Sequence, residues 1–267
     1  MKNNYFTKIS LACLLCISAV ITGCCINIGC WPRAKYEKTE QLSAPLEAGQ
    51  TLHLQNNVGE ITVTGADVTS CDVTSCDVTA TITAKASTEE KAEKLAEQVK
   101  IKLQPSADKL SVKVEKPKET SNRSIAIDFN ITVPKQTALQ LATNVGEIRI
   151  TNITKPIEAE TNVGTITCRQ ITGDTGLTTN VGEITVAYSD TSPSVCNANI
   201  RTDIGEINFD APPGLSAQVR ASVNIGSIQT DLPLTVTGKI NKSLSGTVGK
   251  GEGKVTLRTN IGSIKIR

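Results

Sequence analysis

Histidine and aromatic side chains are nearly missing from this sequence, and their scarcity narrows what it can do. One histidine, His53, and seven aromatic residues stand among 267 positions. No catalytic triad can be assembled around a lone His53. Trp31, Tyr36, Phe129, Tyr188 and Phe209 are too scattered to form the stacking platform that sugar binding often uses. Net charge is lacking too. Once residues 1–23 are set aside, with Lys2 and Lys8 and no acid among them, the 28 basic residues fall to 26 against 26 acidic ones. That balance argues against nucleic acid as a partner, because such binding draws on a basic stripe to displace counterions. Also missing is the C-x-x-C spacing of a zinc knuckle, since Cys25 and Cys30, like Cys71 and Cys76, are five residues apart. Neither a metal nor a cofactor is expected.

What the sequence has instead is a ten-residue unit that occurs seven times. Leu177-Thr178-Thr179-Asn180-Val181-Gly182-Glu183-Ile184-Thr185-Val186 shows it, and the other copies begin at Leu54, Leu141, Ala159, Ile200, Ala221 and Leu257. Recurrence of this kind marks a repeat architecture. Leu177, Thr179 and Val181 alternate with polar neighbours, and Ile184 and Val186 alternate again, which is the period of a strand. The step of three between Val181 and Ile184 needs a corner, and Gly182 stands there. Gly59, Gly146, Gly164, Gly205, Gly226 and Gly262 hold the same place, since glycine accepts backbone conformations that a Cβ resists.

Gly146 to Gly164 and Gly164 to Gly182 are eighteen residues each. If each interval is one coil, equivalent residues stack about 4.8 Å apart. Leu141, Ala159 and Leu177 then form one apolar column, Val145, Val163 and Val181 a second, Ile148, Ile166 and Ile184 a third, and Ile150, Cys168 and Val186 a fourth. Asn144, Asn162 and Asn180 stack as a corner ladder, where amides can hydrogen-bond from coil to coil. The expected body, residues 50–267 with serial coils over 139–267, is an all-β, single-stranded parallel β-solenoid.

Ahead of the body, Lys2 and Lys8 precede an apolar run from Ile9 to Ile21, shorter than the roughly twenty residues a spanning helix needs. Ile21-Thr22-Gly23-Cys24 follows and resembles the bacterial lipobox. The resemblance implies a lipoprotein signal peptide over 1–23, cleavage after Gly23, and palmitate-type acyl chains on Cys24. Several chains, at about 0.8 kcal/mol per buried CH₂, anchor stably where one is marginal. Cys25 stands where an Asp would signal inner-membrane retention, so the resemblance favours the outer membrane. Residues 24–49, with Pro32, Pro45 and a mixed charge run around Tyr36-Glu37-Lys38, read as a tether.

Within the first third of the body, Asp67-Val68-Thr69-Ser70-Cys71 is repeated from Asp72 and again, in part, from Asp77. A five-residue unit reverses the face of its valine each time, so one unit reads as a duplication bulging from an edge. Ser87 and Glu90 match a capping box, and Ala92, Leu95, Ala96 and Val99 lie along one face, giving one amphipathic helix over 88–100 as a cover for a side or end of the solenoid. Strands follow near 101–103 and 110–114, with a turn at Ser106-Ala107-Asp108-Lys109, then a polar loop over 116–123. Ile125, Ile127, Phe129, Ile131 and Val133 alternate up to Pro134.

Together, the lipoprotein signal, one early bend motif, the helix, the strand ending in Val133-Pro134 and the serial Asn, Val or Ile, Gly, Glu or Ser or Thr, Ile coils resemble the DUF4097 family over residues 52–267. These bacterial β-strand repeat proteins are described as candidate adhesins, akin to the heads of autotransporter-like adhesins. The resemblance implies a right-handed β-helix and a cell-envelope location, and it supplies no catalytic residues.

Two clusters invite a chemical reading. Glu147, Thr165, Glu183 and Glu206 share one corner position, which puts Glu183 and Glu206 about 5 Å apart and Glu147 and Glu183 about 10 Å apart, separations like those of paired glycosidase carboxylates. Parallel β-helices host polysaccharide lyases as well, by analogy of fold alone. An outer corner is solvated, however, and Ser227 and Ser263 replace the acid in other copies. Beyond Cys24, six cysteines remain, and their even number permits disulfides without choosing among fifteen pairings; Cys168, between Ile150 and Val186, reads as a small core residue. The expected function is therefore non-catalytic: an envelope-anchored, adhesin-like surface module, with the membrane as one partner and an envelope or extracellular ligand as another. The alternatives are a periplasm-facing accessory of envelope stress signalling and a polysaccharide-active enzyme.

Overall fold

Five of the ten-mers fold as two short strands meeting at the glycine, and the copies beginning at Ala221 and Leu257 each lie in one long strand that passes through it, so successive copies build two walls that share an edge. The structure, a computed structural model, describes residues 34–47, 49–67, 75–118, 123–233, 235–236 and 242–267. In chain order the elements begin with β1 (Ala34–Pro45), β2 (Thr51–Gln55), β3 (Ile61–Ala66), β4 (Ser75–Ala86), α1 (Glu89–Glu97), β5 (Lys100–Pro105), β6 (Lys109–Glu115) and β7 (Ser124–Pro134). Four two-strand coils follow: β8 (Ala138–Val145) with β9 (Ile148–Thr151), β10 (Ile157–Val163) with β11 (Ile166–Ile171), β12 (Thr175–Val181) with β13 (Ile184–Tyr188), and β14 (Asn197–Ile204) with β15 (Ile207–Asp210). The chain ends with β16 (Ala217–Thr230), β17 (Thr235–Val236), β18 (Ser243–Val248) and β19 (Gly253–Ile266).

The first wall runs β5, β6, β2, β8, β10, β12, β14, β19, β16, β18, β17. The second runs β1, β4, β7, β3, β9, β11, β13, β15, β19, β16. Inward side chains of both walls meet in one apolar core; Leu54, Leu141, Leu177, Ile200 and Leu257 come from the first wall and Ile61, Ile148, Ile166, Ile184 and Ile207 from the second, all buried. The second wall supplies the crossover that consecutive parallel strands of the first require, and the reverse.

The coils pair in parallel as the eighteen-residue interval predicts, but the fold is not parallel throughout. β1 with β4, β4 with β7, β5 with β6, β16 with β18 and β17 with β18 are antiparallel. All five pairings lie at the two ends of the stack, where a parallel strand would present an open edge. The body is thus a β-solenoid-like stack of mixed orientation carrying one helix.

Stack order also departs from chain order. β19, the last copy of the unit, lies between the β14–β15 coil and β16. The copy beginning at Ala221 is therefore outermost, and the one beginning at Leu257 is interior.

Two further expectations are corrected. Of the expected tether over 24–49, Ala34–Pro45 is a strand, paired with β4 along its whole length. Its period is masked by Lys38 and Glu40 at half-buried positions, where they pair with each other at 2.7 Å; Glu40 and, after it, Glu97 of α1 favour the charged form of Lys38. The helix is Glu89–Glu97, shorter than 88–100. It is capped by Thr88, whose hydroxyl accepts from the Lys91 N–H, while Ser87 accepts from the Lys91 ammonium. It packs on β4 and β1. Of the Asp-Val-Thr units, the third lies in β4, where Val78 is buried between β1 and β7 beside Cys76 and Ala80, while residues 68–74, and with them the expected bulging unit, lie outside the described residues.

Candidate functional site

The corner shared by the two walls is where the repeated residues converge. All seven bend glycines have positive φ, from +130° at Gly59 to +152° at Gly146, Gly164 and Gly182, a region that side chains other than glycine rarely enter. Close approach adds a second reason. A Cβ on Gly182 would lie 1.9 Å from the Gly164 carbonyl oxygen, and one on Gly164 1.9 Å from that of Gly146. The glycines stack in the order 59, 146, 164, 182, 205, 262, 226, the same order as the walls.

The third position of the unit has a role that sequence reasoning passed over. Thr179 is buried and its hydroxyl donates to the Gly164 carbonyl at 3.2 Å. Thr143 bonds Gly59 in the same way, Thr161 Gly146, Thr202 Gly182 and Thr259 Gly205. A stacked row of glycine carbonyls is thereby satisfied from inside the corner. The recurrence of Thr at that place was the available signal.

Outside the corner stand three parallel rows. In the first, the Asn162 amide donates to Asn144 and that of Asn180 to Asn162. Asp203, an acceptor only, interrupts the row, which resumes with Asn260 donating to Asp203 and Asn224 to Asn260. The second row corrects an expectation. Val145, Val163 and Val181 do not face the core: they are 44%, 49% and 44% exposed, and Ile204, Ile261 and Ile225 continue the line at 49%, 46% and 64%. Among the described residues, six of the seven exposed large apolar side chains belong to this one line, so its exposure is systematic. The cause is the corner interior, which the threonine hydroxyls and glycine carbonyls fill.

The third row is acidic, and its neighbours hold it. Arg149 donates to both Glu60 and Glu147. Glu183 accepts from Asn208 at 2.8 Å and Thr185 at 2.9 Å, and Glu206 from Lys265 at 3.3 Å. Hydrogen bonds from Ser263 and then Lys265 pull Glu206 below the usual carboxylate range, whereas a general acid needs a raised pKa. These acids stand on a solvated corner with hydrogen-bonding neighbours, some cationic and some neutral, an arrangement suited to contact.

His53 faces outward on β2, half-buried; burial, then Lys109 and Lys113, hold it below its usual range. Cys168 is buried between Ile150 and Val186, and burial pushes its thiol up to about 12, too high for a reactive thiolate. Cys76 and Cys196 are buried free thiols as well. Gly23, Cys24, Cys25, Cys30 and Cys71 lie outside the described residues. Among the described residues, no three His, Cys, Asp or Glu side chains converge as metal ligands, and no helix is long and apolar enough to cross a membrane.

Comparison with known proteins adds to this geometry. A family model, Toastrack DUF4097, matches residues 100–267. Among solved structures, a protein of Clostridium sporogenes provisionally assigned to cell adhesion is similar with a TM-score of 0.50 and 15% identity, over 86% of this chain and 99% of that one. A provisionally assigned adhesin of Bacteroides fragilis is similar with a TM-score of 0.45 and 16% identity, over 86% of this chain and 97% of that one. No curated protein matches the chain.

Proposed function

The chain belongs to the Toastrack DUF4097 family, and from that membership we propose that it is a non-catalytic, adhesin-like module of the bacterial cell envelope, held to the membrane by lipid on Cys24 and facing outward. The observation that carries this reading is the corner: rows of identical side chains repeat at strand spacing, including a line of exposed Val and Ile, while the acids beside them are already paired. Such a surface offers many equivalent weak contacts, so its affinity for a partner arises from multivalency more than from one pocket. The coils are taken to wind right-handed, the hand that crossovers between parallel strands of one sheet adopt in about 98% of cases.

The anchor is tested by fractionation. The wild-type chain is expected in membranes with Met1–Gly23 removed and acyl chains on Cys24, read by mass spectrometry of the N-terminal peptide. A Cys24→Ala variant should carry no lipid and keep residues 1–23. A Cys24→Ala chain processed and retained like wild type would mean that Cys24 is not the anchor.

A further inference from the structure

The first wall carries one glycine that the fold does not need. Gly176 lies within β12, outside the positive-φ region, and a Cβ there would meet nothing closer than the Glu158 Cγ at 3.8 Å. Glycine inside a strand costs stability, and where it marks neither a bulge nor a close backbone it often marks the approach of a ligand. Gly176 points outward in a row that reads Gln140, Glu158, Gly176, Asn199, Thr256, Arg220 across the wall. The missing side chain opens a furrow of about 700 Å³ that runs from Glu158 past Gly176 to Lys254 and Arg258.

The two sides of the furrow differ in charge. Towards β10, Glu158 accepts from Gln140 and Asp174 accepts twice from Asn197. Towards the other end of the stack, Arg201 and Arg258 are register partners on neighbouring strands, with Lys254 on β19 and Arg220 on β16 beside them. Side-by-side like charges repel. Arg201 is paired with Asp203 at 3.0 Å, while among the described residues no carboxylate pairs with Arg258, Lys254 or Arg220. Between these cations and the gap at Gly176 lie Thr178, Asn199 and Thr256, neutral hydrogen-bonding groups that are at least partly exposed. Two guanidinium forks one strand apart suit planar or tetrahedral anions, and the side-chain-free floor admits a chain that lies flat.

We propose that this furrow binds a linear, hydroxyl-rich polymer bearing regularly spaced anions, with the anions on Arg201, Arg258 and Lys254 and the hydroxyls between Thr178 and Asn199 above Gly176. The inference rests on the reading of the body as an outward-facing binding module and names what that module recognises.

The test is binding of the full chain, purified in nonionic detergent, to labelled polygalacturonate, poly(glycerol phosphate), neutral dextran and duplex DNA. Saturable binding to polygalacturonate or to poly(glycerol phosphate), weakened by salt and absent with dextran and DNA, is expected, and the preferred polymer identifies the anion as carboxylate or phosphate. Arg258→Gln should weaken it about tenfold, the scale of one charge-assisted hydrogen bond, and Arg258→Lys by less. Gly176→Gln, which fills the furrow where there is room for it, should abolish most binding without lowering the unfolding transition; Lys113→Gln, on the same wall but beyond the furrow, should not alter binding. Equal binding to DNA, indifference to Gly176→Gln, or no polymer binding at all would overturn the proposal. In the last case surface labelling of intact cells still separates the two claims, because a labelled body that binds no polymer leaves the outward module standing without this ligand.

Discussion

Gly182→Ala is expected to lose more than about 4 kcal/mol of unfolding free energy, a loss seen only where backbone strain or severe packing error is introduced. Two independent costs act there. Alanine would have to adopt φ near +152°, and its Cβ would lie 1.9 Å from the Gly164 carbonyl oxygen. That carbonyl cannot retreat, because it accepts from the buried Thr179 hydroxyl. Six residues earlier, Gly176→Ala in the same coil should do the opposite and stabilise by up to about 1 kcal/mol, since it restricts the unfolded chain at a site with ordinary φ and free space. Equilibrium urea unfolding of the two variants reads the contrast directly. Equal effects would mean that the corner is not built on stacked glycines.

Removing β19 is the second large effect. A stack in chain order would lose only its last coil when the chain is cut before Gly253. In this fold the same cut removes an interior coil, because β19 pairs with β14 and β15 on one side and with β16 on the other. Val255, Leu257, Ile264 and Ile266 leave the core with it. β16 then has no parallel neighbour to stack on, and β18 pairs only with it and β17. A chain ending at Glu252 should show no cooperative thermal transition, and native-state hydrogen exchange of the full chain should find β19 amides protected as strongly as those of β12. A truncated chain that still melts cooperatively, with only a modest drop in midpoint, would favour stacking in chain order.

These two cases show what could be read from the residues. The strand, bend, strand plan was legible because Leu177, Thr179, Ile184 and Val186 alternate in a period that only a strand uses, and because the bend glycine never changes. Val181 misled, since its parity continues that of Leu177 and Thr179. Parity stops being informative where the corner interior is already filled by hydroxyls and carbonyls. The order of the last two coils was hidden because each copy of the unit is an equally good neighbour for any other. Val223 in place of the usual Thr, and Thr230 in place of a closing apolar residue, mark the Ala221 copy as different. β1 is hard to read because its half-buried face holds Lys38 and Glu40, charged residues that break the apolar alternation by which a strand is recognised. The basic furrow was invisible for another reason. Arg201, Lys254 and Arg258 are more than fifty residues apart at their widest, and only the insertion of β19 beside β14 brings them together.

An adhesin-like body must face out of the cell. Intact cells treated with a membrane-impermeant, amine-reactive biotin reagent should be labelled on exposed body lysines such as Lys109, Lys113 and Lys254 as fully as cells whose envelope has been opened. The unlipidated Cys24→Ala chain should escape that surface labelling. Labelling of the wild-type body only after the envelope is opened would contradict the adhesin-like reading and turn the search for its partners inward.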